Sequence, residues 1–555
     1  MGLSLLPKDK PKCLAVFSWA FLVLVLIFLP SNMDEFLPYH VISCDYYPNA
    51  ELHTLREPCN SFYDLNLWGL TLKRAYLYVG SWSSWLYYPL FLLIPHPISH
   101  KLLGTIFFLG IISLTARLEN HQSNRSWWLL RWALSFPILY QLIFDTGPVR
   151  WGLLVLFISP LLIRYIQQQK RIAIKLGIQV FLGVILFLAV EDKPFFIYLL
   201  PSLICVCLAY NWTDMQDMVK LLGNTILSII VSATLTSIYL FGTKVGDVSY
   251  FEHLRSMGQT ENSSWQRAWE LFQLNLSYLT NWYLYAHRNW SATGFVHDVN
   301  AHLGITLVEF GLFILWKVRH QINLSRLFWL GLGLLCNTVI FVYMQNVWAG
   351  HHFIFSYAIL YLLYNHCLTY ASPKIKHALL LLTTLYAFLI GLQFLFTQPF
   401  VEASRERNHI FDYIAQPEIG QNYVIVHNNW GTYYQSALYG DRQQVVIYAE
   451  PMQEYEVSRI AEVSRWLDRG ILIVCRGEEC NAKTLYDKFQ GQFNFVPVAL
   501  PTQDWQVWRS LAVGTSSSGF SETGSKERFS EATGENNSRA DCVTHDLSSK
   551  RGSLI

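Results

Sequence analysis

The sequence predicts a polytopic α-helical membrane protein of about eleven spans, closed by a small extracytoplasmic α/β domain. Three observations carry that prediction. The 555 residues are 52% hydrophobic and 15% aromatic but only 14% charged, whereas soluble globular chains carry roughly 25% charged residues. Several windows hold about 18 or more residues with almost no charge, the length needed to cross hydrocarbon. After about Gln398 the composition becomes that of a water-soluble domain. There "YVIVHN", "QVVIYAE", "ILIVCRG" and "FNFVPVAL" read as short strands, separated by amphipathic stretches such as "EYEVSRIAEVSRWLDRG". Nucleic-acid binding is excluded, because the formal net charge is +2 and no basic block stands clear of the membrane-flanking positions.

The first apolar run, "CLAVFSWAFLVLVLIFLP", is longer than a signal-peptide core and no small-x-small cleavage site follows it, so it reads as a retained span. The spans fall near 13–30, 99–117, 127–144, 150–166, 176–190, 195–211, 221–241, 303–317, 327–344, 353–371 and 378–397. Basic residues sort the connections. Lys8, Lys10 and Lys12; Arg117 and Arg125; Arg164, Lys170, Arg171 and Lys175; Lys317, Arg319 and Arg326; and Lys374 and Lys376 occupy one set of loops. The alternate loops are poorer in Lys and Arg for their length. By the positive-inside rule the N-terminus is then cytoplasmic, and an odd number of spans puts the C-terminus outside.

Everything long therefore lies on the outer face. The transmembrane domain, 1–397, carries a large first outer loop (31–98) and a second long outer loop (241–302), and the extracytoplasmic domain covers 398–512. The tail, 513–555, is polar and Ser/Gly-rich and is expected to be disordered. The pairs Cys44/Cys59 and Cys475/Cys480 face an oxidising compartment, where spacing alone leaves disulfide and free thiol both open. The sequons at Asn262, Asn275 and Asn289 lie in the second long loop, which would expose them in a lumen. The bacterial look of the C-terminal domain favours an inner membrane instead.

Five stretches bear chemistry. In "SNMDEFLPYH" the acidic pair Asp34 and Glu35 follows the first span at once. Asp34 would sit about 6 Å past the span if the helix continues, at headgroup depth. The two carboxylates are about 100° apart on a helix, so they cannot share one substrate atom; one suits a general base and the other a structural partner. A solvated interfacial pair is the plainer reading. In "EDKPFF", Lys193 is an outward-facing cation at a span boundary, and Pro194 suits the first turn of the next helix. Together they make an anion site, unless Lys193 simply pairs with Asp192 or Glu191. His351 and His352 in "NVWAGHHFIFS" open a later span on the same face, where imidazoles serve phosphate or sugar oxygens, or interfacial packing. His297, Asp298 and His302 in "GFVHDVNAH" precede another span as substrate-binding candidates, but the five-residue spacing of the histidines misses that of a helical zinc pair. The stretch "YVGSWSSWLYYPLF", which holds Tyr87, reads as an interfacial aromatic helix whose faces also suit sugar rings.

An apolar first span followed at once by Asp-Glu, a large first outer loop and a Lys-Pro pair between later spans form a pattern. Through "NMDE", "YVGSWSSWLYYPLF", "EDKP" and "HNNWGTYYQSALYG" the chain resembles the GT-C superfamily of integral-membrane glycosyltransferases over about residues 1–512. Its likeness is to the protein O-mannosyltransferase and aminoarabinose-transferase branch, in the bacterial form with a C-terminal periplasmic domain. The resemblance implies a GT-C-like fold and an inverting transfer from a polyprenyl-phosphate sugar, with no catalytic metal and no cofactor. Asp34 would be the general base, and Lys193 would bind the donor phosphate. Implied partners are the donor, a lipid, glycan or protein acceptor, and the membrane. In Lys193 the Pro follows directly, a loose match to the family's Lys-x-Pro, and His351–His352 stand where many members carry Arg-Tyr.

Three rival readings share these features. A transporter or flippase would place ionisable groups within its spans, and Glu309 in "GITLVEFGLF" is the clearest such residue. Against it, no internal repeat is visible. The others are a non-catalytic partner on a GT-C scaffold and a polymerase or ligase of lipid-linked glycans.

Overall fold

The structure is a computed structural model. It describes residues 10–29, 63–67, 70–76, 79–80, 86, 89–90, 93–94, 98–119, 128–143, 149–212, 215–245, 248–258, 265–286, 295–343, 350–396, 399–429, 432–433, 436, 444–449, 452, 454–476, 480–502 and 505–511. Helices cover most of the described residues of each expected span. In chain order these are α1 (Lys10–Phe28), α2 (Ile98–Leu118), α3 (Trp128–Leu134), α4 (Phe136–Ile143), α5 (Arg150–Gln168), α6 (Ile172–Asp192), α7 (Leu200–Asn211) and α8 (Met215–Gly242). Further on come α9 (Tyr250–Gly258), α10 (Trp265–Thr280), α11 (Tyr283–Ala286), α12 (Phe295–Val318), α13 (Leu324–Tyr343), α14 (Gly350–Tyr370) and α15 (Pro373–Phe396). Among the described residues, seven helical stretches are long and apolar enough to cross a membrane, and Lys12–Phe28 and Leu324–Ile340 are shorter apolar ones. The protein is thus a polytopic helical membrane protein whose core is one continuous apolar cluster running through the bundle.

Two expected spans are interrupted. The one near 127–144 breaks at Ser135, whose hydroxyl and backbone N–H both turn back to Trp132 O at 2.7 and 3.0 Å. The one near 195–211 opens as a 3-10 turn, Pro194–Leu199, before α7 begins. Pro201 explains the restart, since it has no N–H for a continuing ladder and is tolerated only in a first turn.

Close packing is set by small residues. A Cβ on Gly104 would lie 1.7 Å from Leu142 O, so α2 and α4 meet backbone to side-chain-free backbone. Gly104→Ala is expected to cost about 2–3 kcal/mol, because a carbonyl cannot yield as a side chain can. Gly110→Ala on the same helix, with nothing within 4 Å, is expected to be neutral or slightly stabilising. Thermal denaturation of the two variants in detergent checks the contrast.

The described residues also form two five-stranded sheets. Between α1 and α2, β1 (Tyr63–Leu67), β2 (Leu70–Tyr76) and β3 (Val79–Gly80) form a meander. It is extended by β4 (Thr243–Val245) and β5 (Val248–Ser249), with Asp64 opposite Lys244. Here the expected aromatic helix is corrected at its start: Val79–Gly80 is strand, because it pairs with Ala75 and Tyr76. The second sheet has the order β7-β6-β8-β10-β9. The expected strands are β6 (Tyr423–His427), β7 (Val445–Tyr448), β8 (Gly470–Arg476) and β9 (Asn494–Val498); β10 (Trp505–Leu511) adds a fifth. β6, β7 and β8 are parallel, and β10 runs antiparallel to both β8 and β9. Before this sheet stand α16 (Pro399–Ile414) and α17 (Pro417–Asn422), and α18 (Glu454–Leu467) and α19 (Ala482–Lys488) lie within it as crossovers. Cys475 and Cys480 are joined as a disulfide; Cys44 and Cys59 lie outside the described residues. Residues through Leu511 belong to one compact unit.

The sequon at Asn275 is a correction. In α10 the apolar spacing Leu271, Asn275, Tyr278 and Leu279 turns one face inward, so Asn275 is fully buried and donates to Thr338 Oγ1 at 3.0 Å.

Candidate functional site

Lys193 is the hinge of the site. It closes α6 and opens the 3-10 turn in an extended conformation, φ −149° and ψ 106°, as the residue before a proline prefers. Its N–H still bonds Ala189 O, and its carbonyl accepts from Phe196 N at 2.9 Å. Glu191, Asp192 and Lys193 are all buried, at 0, 5 and 5% exposure. Gathering three charged residues in a dry junction is costly and is seldom tolerated for packing alone. The carbonyl end of α6 favours the ammonium electrostatically. The ammonium also lies over the Phe195 ring, 5.1 Å from its centre.

The same ring receives His352. The imidazole packs edge-on to Phe195 at 6.1 Å, and Phe355 from the next turn of α14 packs on it at 5.8 Å. Two residues picked out separately in the sequence, Lys193 and His352, are thus brought to one aromatic side chain. Behind them α5 closes in, because a Cβ on Gly152 would lie 2.6 Å from Phe355 and 3.0 Å from Phe196.

Two further cations at this end were not singled out by the sequence. Arg150, 4% exposed at the start of α5, donates from Nη2 to His100 O at 3.2 Å. Lys101, 1% exposed on α2, donates from Nζ to Leu26 O at 3.1 Å and Leu29 O at 2.8 Å. Those are orphan carbonyls at the C-terminal end of α1, which need donors once the helix stops. Lys101 and Arg150 sit in segments that read only as a span start and a loop end. Their depth against the positive-inside bias was the available signal.

The other expected residues are distributed as follows. Asp34, Glu35 and Tyr87 lie outside the described residues. His351 is in the first turn of α14 and His297 in that of α12, by backbone. Asp298 is exposed, as is His302 one turn later. The helical period turns Asn300 inward instead, fully buried and donating to Gln393 Oε1 at 2.5 Å. Among the described residues, no group of three or more His, Cys, Asp or Glu is gathered as for a metal ion.

The opposite ends of the helices hold a second polar cluster. Glu119 accepts from Tyr210 Oη at 2.7 Å and from Arg326 Nη1 at 3.2 Å, with His366 Nδ1 at 3.4 Å. Arg326 Nε and Arg164 Nη2 donate to Ala209 O and Tyr210 O, capping the carbonyl end of α7. Burial opposes ionisation of Glu119. The hydrogen bond with His366, the Arg326 charge and the Tyr210 hydroxyl outweigh it and hold the carboxyl below its ordinary value. A carboxyl depressed in the folded state gives stability that is full above its unfolded value and lost as pH falls through the folded one. Glu119→Gln is therefore expected to cost about 2–4 kcal/mol near neutral pH, by leaving Arg326 without its counter-charge. The gap from wild type should close as pH is lowered from about 5 toward 3, which melting curves in detergent across that range would show.

The fold defines a class: a polytopic helical membrane fold with a sheet built from the segment between α1 and α2 and from the end of α8, and a second sheet appended at its C-terminus. Among solved structures the chain is similar to ArnT from Cupriavidus metallidurans. Against ArnT bound to undecaprenyl phosphate the TM-score is 0.51 at 11% identity, covering 91% of this chain and 98% of that one. Against apo ArnT the values are 0.52 and 12%, with 90% and 97% covered. At such identities the likeness is one of fold. No protein-family model matches the chain, and no characterised protein matches it in sequence.

Proposed function

We propose that this protein is an integral-membrane glycosyltransferase that moves a sugar from a polyprenyl-phosphate donor to an acceptor at the extracytoplasmic face. One observation carries the reading. Lys193 and His352, buried or half-buried at one end of the bundle, share the Phe195 ring, in a fold shared with an ArnT bound to undecaprenyl phosphate. Lysine and imidazole are donors suited to a phosphate oxygen. The carbonyl end of α1 reaches the same end of the bundle through Lys101 and Arg150. Asp34 follows five residues after Leu29 in the sequence.

On this reading Asp34 takes the proton of the acceptor hydroxyl or amine. The acceptor atom bonds to the anomeric carbon from the face opposite the phosphate, inverting it. The bond from that carbon to the phosphate oxygen breaks, and the electron pair leaves on the lipid phosphate. Lys193, with His352 and His351 beside it in sequence, meets the charge that develops there. Glu35 holds its neighbour in place. The domain boundaries near 397 and 512 and an inner-membrane location with the C-terminus outside belong to the same proposal.

A transporter core is less well supported. Its mid-span acid would be Glu309, and that residue is exposed on the outer surface of α12 rather than turned into the bundle. The test is transfer by purified wild type from a panel of radiolabelled polyprenyl-phosphate sugars in detergent. Turnover with one donor supports the reading. Binding of polyprenyl phosphate without turnover, together with its movement across liposomes, would replace it with the transporter.

A further inference from the structure

The C-terminal sheet has a polar edge of its own. Its strands β6, β7 and β8 are parallel, and β6 lies between the other two. The chain leaves β6 on one face of the sheet, where Tyr433 packs with Ile425, Val446, Leu472 and Val474. It leaves β7 and β8 on the other face, where Val457 and Ile460 of α18 and Leu485 of α19 pack with Val424, Val426, Ile471 and Ile473. The connections from the neighbouring strands β6 and β8 therefore part at their carboxyl ends. In open α/β sheets such a parting leaves a crevice, and ligands bind there. The stretch "HNNWGTYYQSALYG" starts at this edge.

The residues at the edge are polar and held in place. His427 ends β6 fully buried, with Nδ1 3.0 Å from Thr432 Oγ1 and its ring edge-on to Tyr433. Thr432 Oγ1 also donates to Asn429 O at 3.1 Å. Asn428 crosses from β6 to β8: its N–H donates to Val474 O at 3.0 Å, and its Oδ1 accepts from Arg476 N at 3.2 Å. Arg476 ends β8 opposite Trp505, with its guanidinium 5.8 Å from the centre of that indole ring. An exposed arginine ordinarily samples many rotamers. Arg476 is exposed, but its backbone is fixed by the ladder to β10, by Asn428 and by the disulfide of its neighbour Cys475. Such preorganisation lowers the entropy lost when a guanidinium takes an anion. Asn428 and Asn429, both half-buried, bring carboxamides to the same edge, and carboxamides suit hydroxyl groups.

We propose that the carboxyl edge of β6 and β8 binds an acidic saccharide. Arg476 takes its carboxylate or phosphate, and the carboxamides of Asn428 and Asn429 take ring hydroxyls. His427 and Thr432 are positioning residues that hold the turn carrying Asn429. The role of this saccharide in transfer, as the acceptor, rests on the glycosyltransferase reading above; its binding does not.

The experiment uses the full-length protein in detergent and compares wild type, Arg476→Ala, Arg476→Lys and Arg465→Ala. Arg465 is exposed on α18, which covers the other face of the sheet, so its variant removes the same charge elsewhere. Titration calorimetry measures binding of galacturonate, galactose phosphate, neutral galactose and inorganic phosphate, beside the melting temperature of each variant. Wild type is expected to bind an acidic sugar and not galactose; the uronate and the sugar phosphate tell carboxylate from phosphate recognition. Arg476→Ala should weaken that binding by about 10- to 100-fold, the range for a hydrogen bond to a charged group. Arg476→Lys should recover part of it, since it keeps the charge but not the planar fork. Arg465→Ala should change nothing. Equal losses in Arg476→Ala and Arg465→Ala, or inorganic phosphate bound as tightly as the sugars, overturn the proposal. So does a wild type that binds neither acidic sugar; a lower melting temperature of Arg476→Ala would then mark an arginine paired with a carboxylate of its own chain. Where a donor turns over, Arg476→Ala should raise KM for an acidic acceptor and leave kcat within about threefold. A wild type that binds the acidic sugar but transfers from no donor sinks the glycosyltransferase reading and leaves the binding site standing.

Discussion

Lys193→Met is expected to lower kcat/KM for a polyprenyl-phosphate sugar by about 10²- to 10³-fold, the loss seen when one preorganised donor is removed from a developing anion. Phosphate carries negative charge in the ground state and gains more as the glycosidic bond breaks. An ammonium held at that point therefore acts on binding and, more strongly, on the transition state. The surroundings sharpen the effect. Lys193 is buried at the junction of two helical segments and rests against Phe195, so little water screens it. Lys193→Arg keeps the charge but widens the head, in a junction closed by Gly152 and Phe355; partial recovery is expected. Initial rates over a range of donor concentrations separate the contributions. A variant that melts like wild type and loses less than threefold in both kcat and KM would remove Lys193 from the site.

Much of this architecture is written in local sequence. Apolar runs of span length gave the positions of the helices, because the need to satisfy every backbone polar group in lipid leaves helix as the solution. The break at Lys193 was legible through Pro194, a covalent constraint that acts on the residue before it. What stayed hidden is non-local. β1 pairs with β4 across nearly the whole first half of the transmembrane domain, and nothing in "YDLNL" names Thr243 as its partner. Glu119, Tyr210, Arg326 and His366 come from four separate segments, and each alone reads as an ordinary loop or span-end residue. Lys101 was passed over for the same reason, since a lysine beside a span start is common and only its burial marks it. β10 was a different miss. In "WQVWRSL" Trp505, Gln506 and Val507 alternate buried, exposed, buried, but the period slips at Trp508, after which Arg509 is exposed and Ser510 buried, so the sequence carries only a three-residue period-two signal.

Asp34→Asn carries the largest expected effect: transfer reduced by about 10³- to 10⁴-fold, at the upper end of general-base contributions, with donor binding preserved. The substitution keeps shape and hydrogen bonding while removing the site that accepts a proton, so it isolates the chemical step from folding and from lipid affinity. Glu35→Gln should cost less, about tenfold, if the neighbouring carboxylate only supports the base. The difference matters because adjacent side chains diverge along a chain, so one substrate atom can be served by one of them. If Glu35→Gln is dead and Asp34→Asn is active, the roles exchange but the glycosyltransferase reading survives, since a carboxylate of the same pair still serves as the base. If both variants transfer at the wild-type rate, no carboxylate at that exit takes the acceptor proton. The charge at the Lys193 end would then serve binding of an anionic lipid alone, and an exchange of lipid across the membrane would become the stronger account of the fold.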